Sequence, residues 1–249
     1  MNPWRLEWLR MTRSPRGLVL IGVYLFFGLI GPLIAKFLPQ LAKNASAGMT
    51  IIVPPPRPAD GIINFVNQAG QTGLIVMVAV AAGALSLDGH RGLSIFHRTK
   101  ARTSFALIWP RYAVSTLTAI LAYLLGTAAA WYETTVVLGG LPPGRMLLGA
   151  GCEALFLAFA VAVVAAAATF GRGTLSTVGI CAVVLLLVLP LVGTAAVIRP
   201  WLPTSLLTAP TSLVTGGAPG QVLRAVVVAV VSTLALLALA VRRAGTREV

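Results

Sequence analysis

Few residues in this 249-residue chain are suited to acid–base, nucleophilic or metal chemistry. Six are Asp or Glu and two are His. Asp88, His90 and His97 share one polar segment, and carboxylate and imidazole together can ligate zinc. Their spacing matches no zinc motif, and a solvated loop with histidines titrating near neutrality accounts for the same residues. A phosphate cradle for ATP needs a Gly-rich loop ending in Gly-Lys-Ser/Thr. None of the lysines, Lys36, Lys43 and Lys100, follows a glycine, so this chain is not expected to hydrolyse ATP. An intramembrane hydrolase needs a nucleophile with a base, or a metal, and no histidine falls in an apolar run. Cys152 and Cys181 read as small buried apolar residues. They fall near opposite ends of their helices, whereas a disulfide needs Cα atoms within about 7 Å.

One acidic residue stands beside a long apolar run. Glu153 precedes Ala154 to Phe170, which is already about the shortest length that crosses a bilayer. Glu153 therefore either marks the outer interface or faces a functional cavity.

The elements that must position these residues are apolar. The chain is 57% hydrophobic and 10% charged, with a mean hydropathy of +0.91. Soluble domains carry about 25% charged residues, so lipid must cover most of this surface. A spanning helix needs about 20 apolar residues. Segments of that kind run over 17–38, 62–87, 112–131, 153–170, 175–198 and 222–241. The first is too long for a cleaved signal and reads as a retained helix. The expected fold is an all-α, multi-pass membrane domain over 1–249, with six transmembrane helices and no soluble domain.

The net charge of +13 invites a nucleic-acid reading, but the basic residues sit at the ends of apolar runs and set orientation. One side holds 13 of the 19 Lys and Arg, among them Arg5, Arg10, Arg13, Arg16, Arg111 and Arg242; the other holds Lys36, Lys43, Arg57, Arg145, Arg199 and Arg224. The richer side is expected to be cytoplasmic, with both termini on it. Outside, Pro54, Pro55, Pro56 and Pro58 favour an extended loop, followed by Asp60 as an N-cap. Residues 133–145 are read as a second outside loop. Gly171-Arg172-Gly173 is a tight cytoplasmic hairpin. Ala154, Ala158, Ala162 and Ala166, and likewise Ala79 and Gly83, recur at four-residue spacing as close-packing faces.

Residues 1–16 are too polar to span. Trp4, Trp8 and Met11 recur at helical spacing, which suits an interfacial helix with these residues at headgroup depth.

In order and spacing these features resemble the six-helix permeases of bacterial ABC exporters, the ABC-2-type permease family. Trp4-Arg5-Leu6-Glu7-Trp8-Leu9-Arg10, followed by Arg13-Ser14-Pro15-Arg16, is similar to that family's interfacial start. The largest cytoplasmic loop, 88–111, carries Asp88-Gly89-His90-Arg91-Gly92-Leu93-Ser94-Ile95-Phe96-His97-Arg98-Thr99-Lys100 and resembles the family's coupling segment. Gly92-Leu93 stands where Gly-Thr is commoner, and the proline-rich first outside loop is longer than in the simplest members. Trp201-Leu202-Pro203-Thr204-Ser205-Leu206-Leu207, in the outer loop 199–221 before the last helix, is similar to a stretch that forms short helices in the family.

The resemblance implies a non-catalytic permease subunit in the bacterial plasma membrane. It would pair with a second copy or a paralogue and dock on two cytoplasmic ATPase subunits that hold ATP and Mg. This chain itself would bind no cofactor, no metal and no nucleic acid. Arg91, Leu93, Phe96, His97, Arg98, Thr99 and Lys100 would couple to the ATPase. Asn67, Gln68, Gln71, Thr72 and Glu153 are the expected substrate-path residues. The cargo class would be a drug, an antibiotic or a lipid-like compound. The competing readings are an ATP-independent secondary transporter and a membrane-enzyme accessory.

Overall fold

The computed structural model describes residues 3–45, 54–86, 104–171 and 173–246. Among them every regular element is helical. That follows from the composition, because a segment surrounded by lipid must satisfy its backbone N–H and C=O groups within itself.

A first helix, Pro3–Arg13, is followed by six helices long and apolar enough to cross a membrane: Pro15–Gln40, Pro58–Leu85, Ile108–Val137, Pro143–Ala168, Thr174–Val192 and Pro219–Gly245. The chain is a multi-pass membrane protein. Pro15, Pro58, Pro143 and Pro219 each open a span. Proline lacks the N–H that is orphaned at a helix start, and its φ is already helical.

Side-chain contacts fix the antiparallel order. At one end, Arg16 Nη1 at the start of the first span donates to Gly83 O near the end of the second, at 3.0 Å. At the same end Ser86 and Thr174 hydroxyls lie 2.8 Å apart, and Arg243 stacks 3.8 Å from the Phe170 ring centre. At the opposite end Arg145 reaches Leu213 O at 3.4 Å, and Arg224 lies 5.3 Å from the Trp201 ring centre. The first end gathers Arg10, Arg13, Arg16, Arg111 and Arg243 and is called the basic end below.

The fourth span is the core of the bundle. Its most apolar window is 61% buried, whereas that of the fifth span is 17% buried. Ala162 and Ala166 are buried, while Ala154 and Ala158 are half-buried. Spans one and three cross at a pair of glycines. A Cβ on Gly28 would stand 2.4 Å from Gly126 O, and one on Gly126 would stand 2.6 Å from Tyr24 O. On the second span Ala79 is exposed, whereas Gly83 lies against the Arg16 guanidinium.

Several boundaries differ from the sequence reading. The helix of the third span runs Ser104–Val137, so residues 104–111 and 133–137 are helical and not parts of the loops read over 88–111 and 133–145. The fourth span starts at Pro143 and not at Glu153, because Pro143-Gly144-Arg145 opens the helix instead of closing a loop. The fifth span ends at Val192, and turns and a short 3-10 helix follow to Trp201. Asp60 is not the N-cap; Arg57 is, and Asp60 lies in the first turn, where Oδ2 accepts from Arg57 N–H at 2.7 Å. The segment ahead of the last α-helix, Leu223–Thr246, forms short helices at Arg199–Trp201, Pro203–Leu206, Ala209–Val214 and Pro219–Gln221. Cys152 and Cys181 are both free thiols.

Candidate functional site

The second span carries a polar ridge. It is interrupted by a π-helical turn, Ala69–Gly73, in the run Ala-Gly-Gln-Thr-Gly. Two glycines and a threonine weaken the α-helix here, and π-turns recur at functional positions. Gly73 packs closely, since a Cβ there would stand 3.0 Å from the Tyr24 ring, which would have to give by a few tenths of an ångström. Asn67, Gln71 and Thr72 are exposed and Gln68 is half-buried. Ile75 and Ala79 continue the exposed face toward the basic end. Asn67 and Gln71 lie about 14 and 20 Å along the helix from Pro58 at 1.5 Å per residue. An amide facing hydrocarbon at that depth loses its hydrogen bonds to water. The ridge therefore needs an aqueous channel or another protein surface.

Glu153 lies elsewhere. It is 1% exposed and sits about 15 Å along its helix from Pro143, well inside the span and not at the interface. It points into the junction of spans one to four. There its carboxyl is within electrostatic reach of the Tyr24 and Tyr123 hydroxyls. The two tyrosine rings meet edge to face at 5.9 Å, and Phe65 stacks on Tyr123 at 6.1 Å. Glu153 Oε2 and Tyr123 Oη are both buried without a hydrogen-bond partner of acceptable geometry. A buried carboxyl beside phenols can exchange a proton or bind a cation. The structure thus separates Glu153 from Asn67, Gln71 and Thr72: the first faces the interior of the bundle, the others its outside.

At the basic end the helix Pro3–Arg13 is tied to the third span. Arg111 Nε donates to Glu7 Oε1 at 3.2 Å, and both side chains are buried. Arg10 adds a longer contact to the same oxygen at 3.6 Å. Trp4 and Trp8 are exposed, but Met11 is buried. Met11 does not share the outward face, because at about 100° per residue it falls on the Glu7 side of Trp4. Asp88, His90 and the coupling residues Arg91, Leu93, Phe96, His97, Arg98, Thr99 and Lys100 lie outside the described residues. Among the described residues no cluster of His, Cys, Asp or Glu has metal-site geometry.

The sequence reading did not single out Tyr24, Tyr123 or Glu7. The signal for the tyrosines was their position: tyrosine is enriched at membrane interfaces, and these two stand deep in their spans. Glu7 carried a fainter one, as the single acid of a basic helix.

No family model, no curated protein and no solved structure matches this chain.

Proposed function

We propose that this chain is the permease subunit of an ATP-driven ABC exporter, with the motor on a separate cytoplasmic subunit. One observation carries the reading: Asn67, Gln71 and Thr72 form an exposed polar ridge within a membrane span. Such a ridge needs an aqueous path or a partner, and two copies meeting across it would provide both. The short N-terminal helix Pro3–Arg13, the basic end and the short helices between 199 and 221 support the reading. The basic end would face the cytoplasm, where the segment 88–103, ahead of the helix of the third span, would dock on the ATPase. Leu93 and Phe96 would be the apolar anchors, and Arg91, Arg98 and Lys100 would meet acidic groups. The drug, antibiotic or lipid-like cargo would pass along the ridge.

The experiment is purification of the chain with its ATPase, followed by Phe96→Ala and Arg98→Glu. The reading expects loss of the complex or of its stimulated ATP hydrolysis. Unchanged assembly and activity in both variants would remove the coupling assignment.

A second reading draws on Glu153. A carboxyl buried mid-span with an unpartnered oxygen is the usual equipment of an ion- or proton-coupled carrier. Transport in vesicles that follows an ion gradient without ATPase would favour it.

A further inference from the structure

We propose that the cavity at the end opposite the basic end is a binding site for a phosphate group, carried by an anionic lipid. The cavity measures about 530 Å³ and is lined by Arg199, Ser205, Thr208, Ser212, Gln221 and Arg224. That size falls within the range of small-molecule sites, about 300–1,000 Å³.

Its charge is one-sided. Two guanidiniums converge on it and no acidic residue lines it. Among the described residues the ion pairs join Glu7 to Arg10 and Arg111, so neither Arg199 nor Arg224 is neutralised. A planar guanidinium presents paired donors that match phosphate oxygens. Arg224 is also oriented, since its guanidinium lies over the Trp201 ring.

The backbone adds to this field. Gly220, Gln221 and Val222 line the cavity where the last span begins. The start of a long helix presents the positive end of its dipole here, while the Gln221 and Val222 N–H groups are already bonded to Ala218 O and Pro219 O. Ser205, Thr208 and Ser212 now donate to the carbonyls of Leu202, Ser205 and Ala209. Rotation of each hydroxyl would turn it into a donor toward an anion.

The rim indicates an amphiphile. Val197, Trp201 and Leu223 flank Arg199 and Arg224 along the chain and are at least half-exposed, and the Trp201 ring lies against Arg224. Exposed aliphatic residues beside a tryptophan suit the boundary between headgroups and acyl chains. A phosphate in the cavity would leave its acyl chains against these side chains. The site does not depend on the transport reading, because either orientation of the chain presents it to one leaflet.

The test uses the full chain in phosphatidylcholine nanodiscs containing a small fraction of bromine-labelled phosphatidylglycerol. Quenching at Trp201 is read as the difference between the wild type and Trp201→Phe. The labelled anionic lipid is expected to quench this component at a mole fraction about thirtyfold lower than labelled phosphatidylcholine needs, as two basic residues at about 1 kcal/mol each predict. Arg199→Gln with Arg224→Gln should abolish the preference, while Arg199→Lys, which keeps the charge, should retain most of it. Inorganic phosphate is titrated in parallel. If phosphate shifts Trp201 emission and the labelled lipid shows no preference, the site is a phosphate site but its ligand is soluble, and the lipid assignment falls. If neither probe responds, or if the preference survives the double Gln variant, the proposal is overturned.

Discussion

Arg111 of the third span and Glu7 of the N-terminal helix form a buried ion pair at 3.2 Å, with side chains 7% and 9% exposed. The pair joins a helix that does not span to one that does, across more than a hundred residues of chain. A motion of the N-terminal helix would therefore reach the third span directly.

Removing Glu7 leaves Arg111 buried and unpaired, and removing Arg111 leaves the buried Glu7 carboxylate only the longer contact to Arg10 at 3.6 Å. Glu7→Ala or Arg111→Ala should each cost about 3–5 kcal/mol, whereas Glu7→Leu with Arg111→Leu should recover much of that loss. Arg10→Ala, at the exposed side of the same carboxylate, should change stability by less than about 1 kcal/mol. Thermal unfolding of the purified variants in one detergent, read as a double-mutant cycle, checks this. Additive single losses would show that the two residues do not act as a pair.

The crossing of spans one and three leaves no room for a side chain. Gly126→Ala places a methyl 2.6 Å from the Tyr24 carbonyl oxygen, which cannot move without moving its helix. The expected loss is about 1–3 kcal/mol, typical of overpacking. Gly22→Ala meets nothing within 4 Å and should be neutral or slightly stabilising. Comparing the two melting temperatures separates a tight crossing from a general intolerance of alanine in these spans.

Glu153→Gln keeps the shape of the side chain and removes its ability to ionise. Its fold should be at least as stable as the wild type, since no ion pair is lost and a buried ionisable group is removed. If export is ATP-driven as proposed, transport should survive the substitution. Abolished transport with an unchanged melting temperature would favour the ion-coupled reading.

The polar ridge should be reachable from water. In a background where Cys152 and Cys181 are replaced by Ala, Asn67→Cys and Gln71→Cys should react with a membrane-impermeant maleimide. Leu124→Cys and Leu187→Cys, exposed positions in apolar surroundings, should not. Equal labelling at all four would mean that the ridge has no special access to water.

How much of this was legible in the sequence depended on what each signal reports. Lipid-facing runs announce themselves through composition alone, so six spans are countable from the sequence. Boundaries were harder where proline has two meanings. Pro142-Pro143-Gly144 reads as a turn, yet Pro143 also suits the first position of a helix, and the second use moved Glu153 from the interface into the span. Asp60 was legible as a helix-start residue, but the N–H it accepts from was not, because the helix begins three residues earlier, with Arg57 as N-cap and Asp60 at the third helical position. Met11 shows the limit of periodicity: about 20° on the helical wheel separates an outward from an inward face. Tyr24, Phe65, Tyr123 and Glu153 lie on four different spans, and their meeting is a fact of packing that no spacing along the chain encodes.

The central claim is that two copies of this chain form a pathway driven by a separate ATPase. The most direct measurement is a cryo-EM map of the chain purified with its partners from its own membrane. The account expects two copies whose Asn67–Gln71 ridges face a common cavity, with two ATPase subunits beneath the basic end. A single copy whose ridge faces lipid, with no ATPase bound, would contradict it.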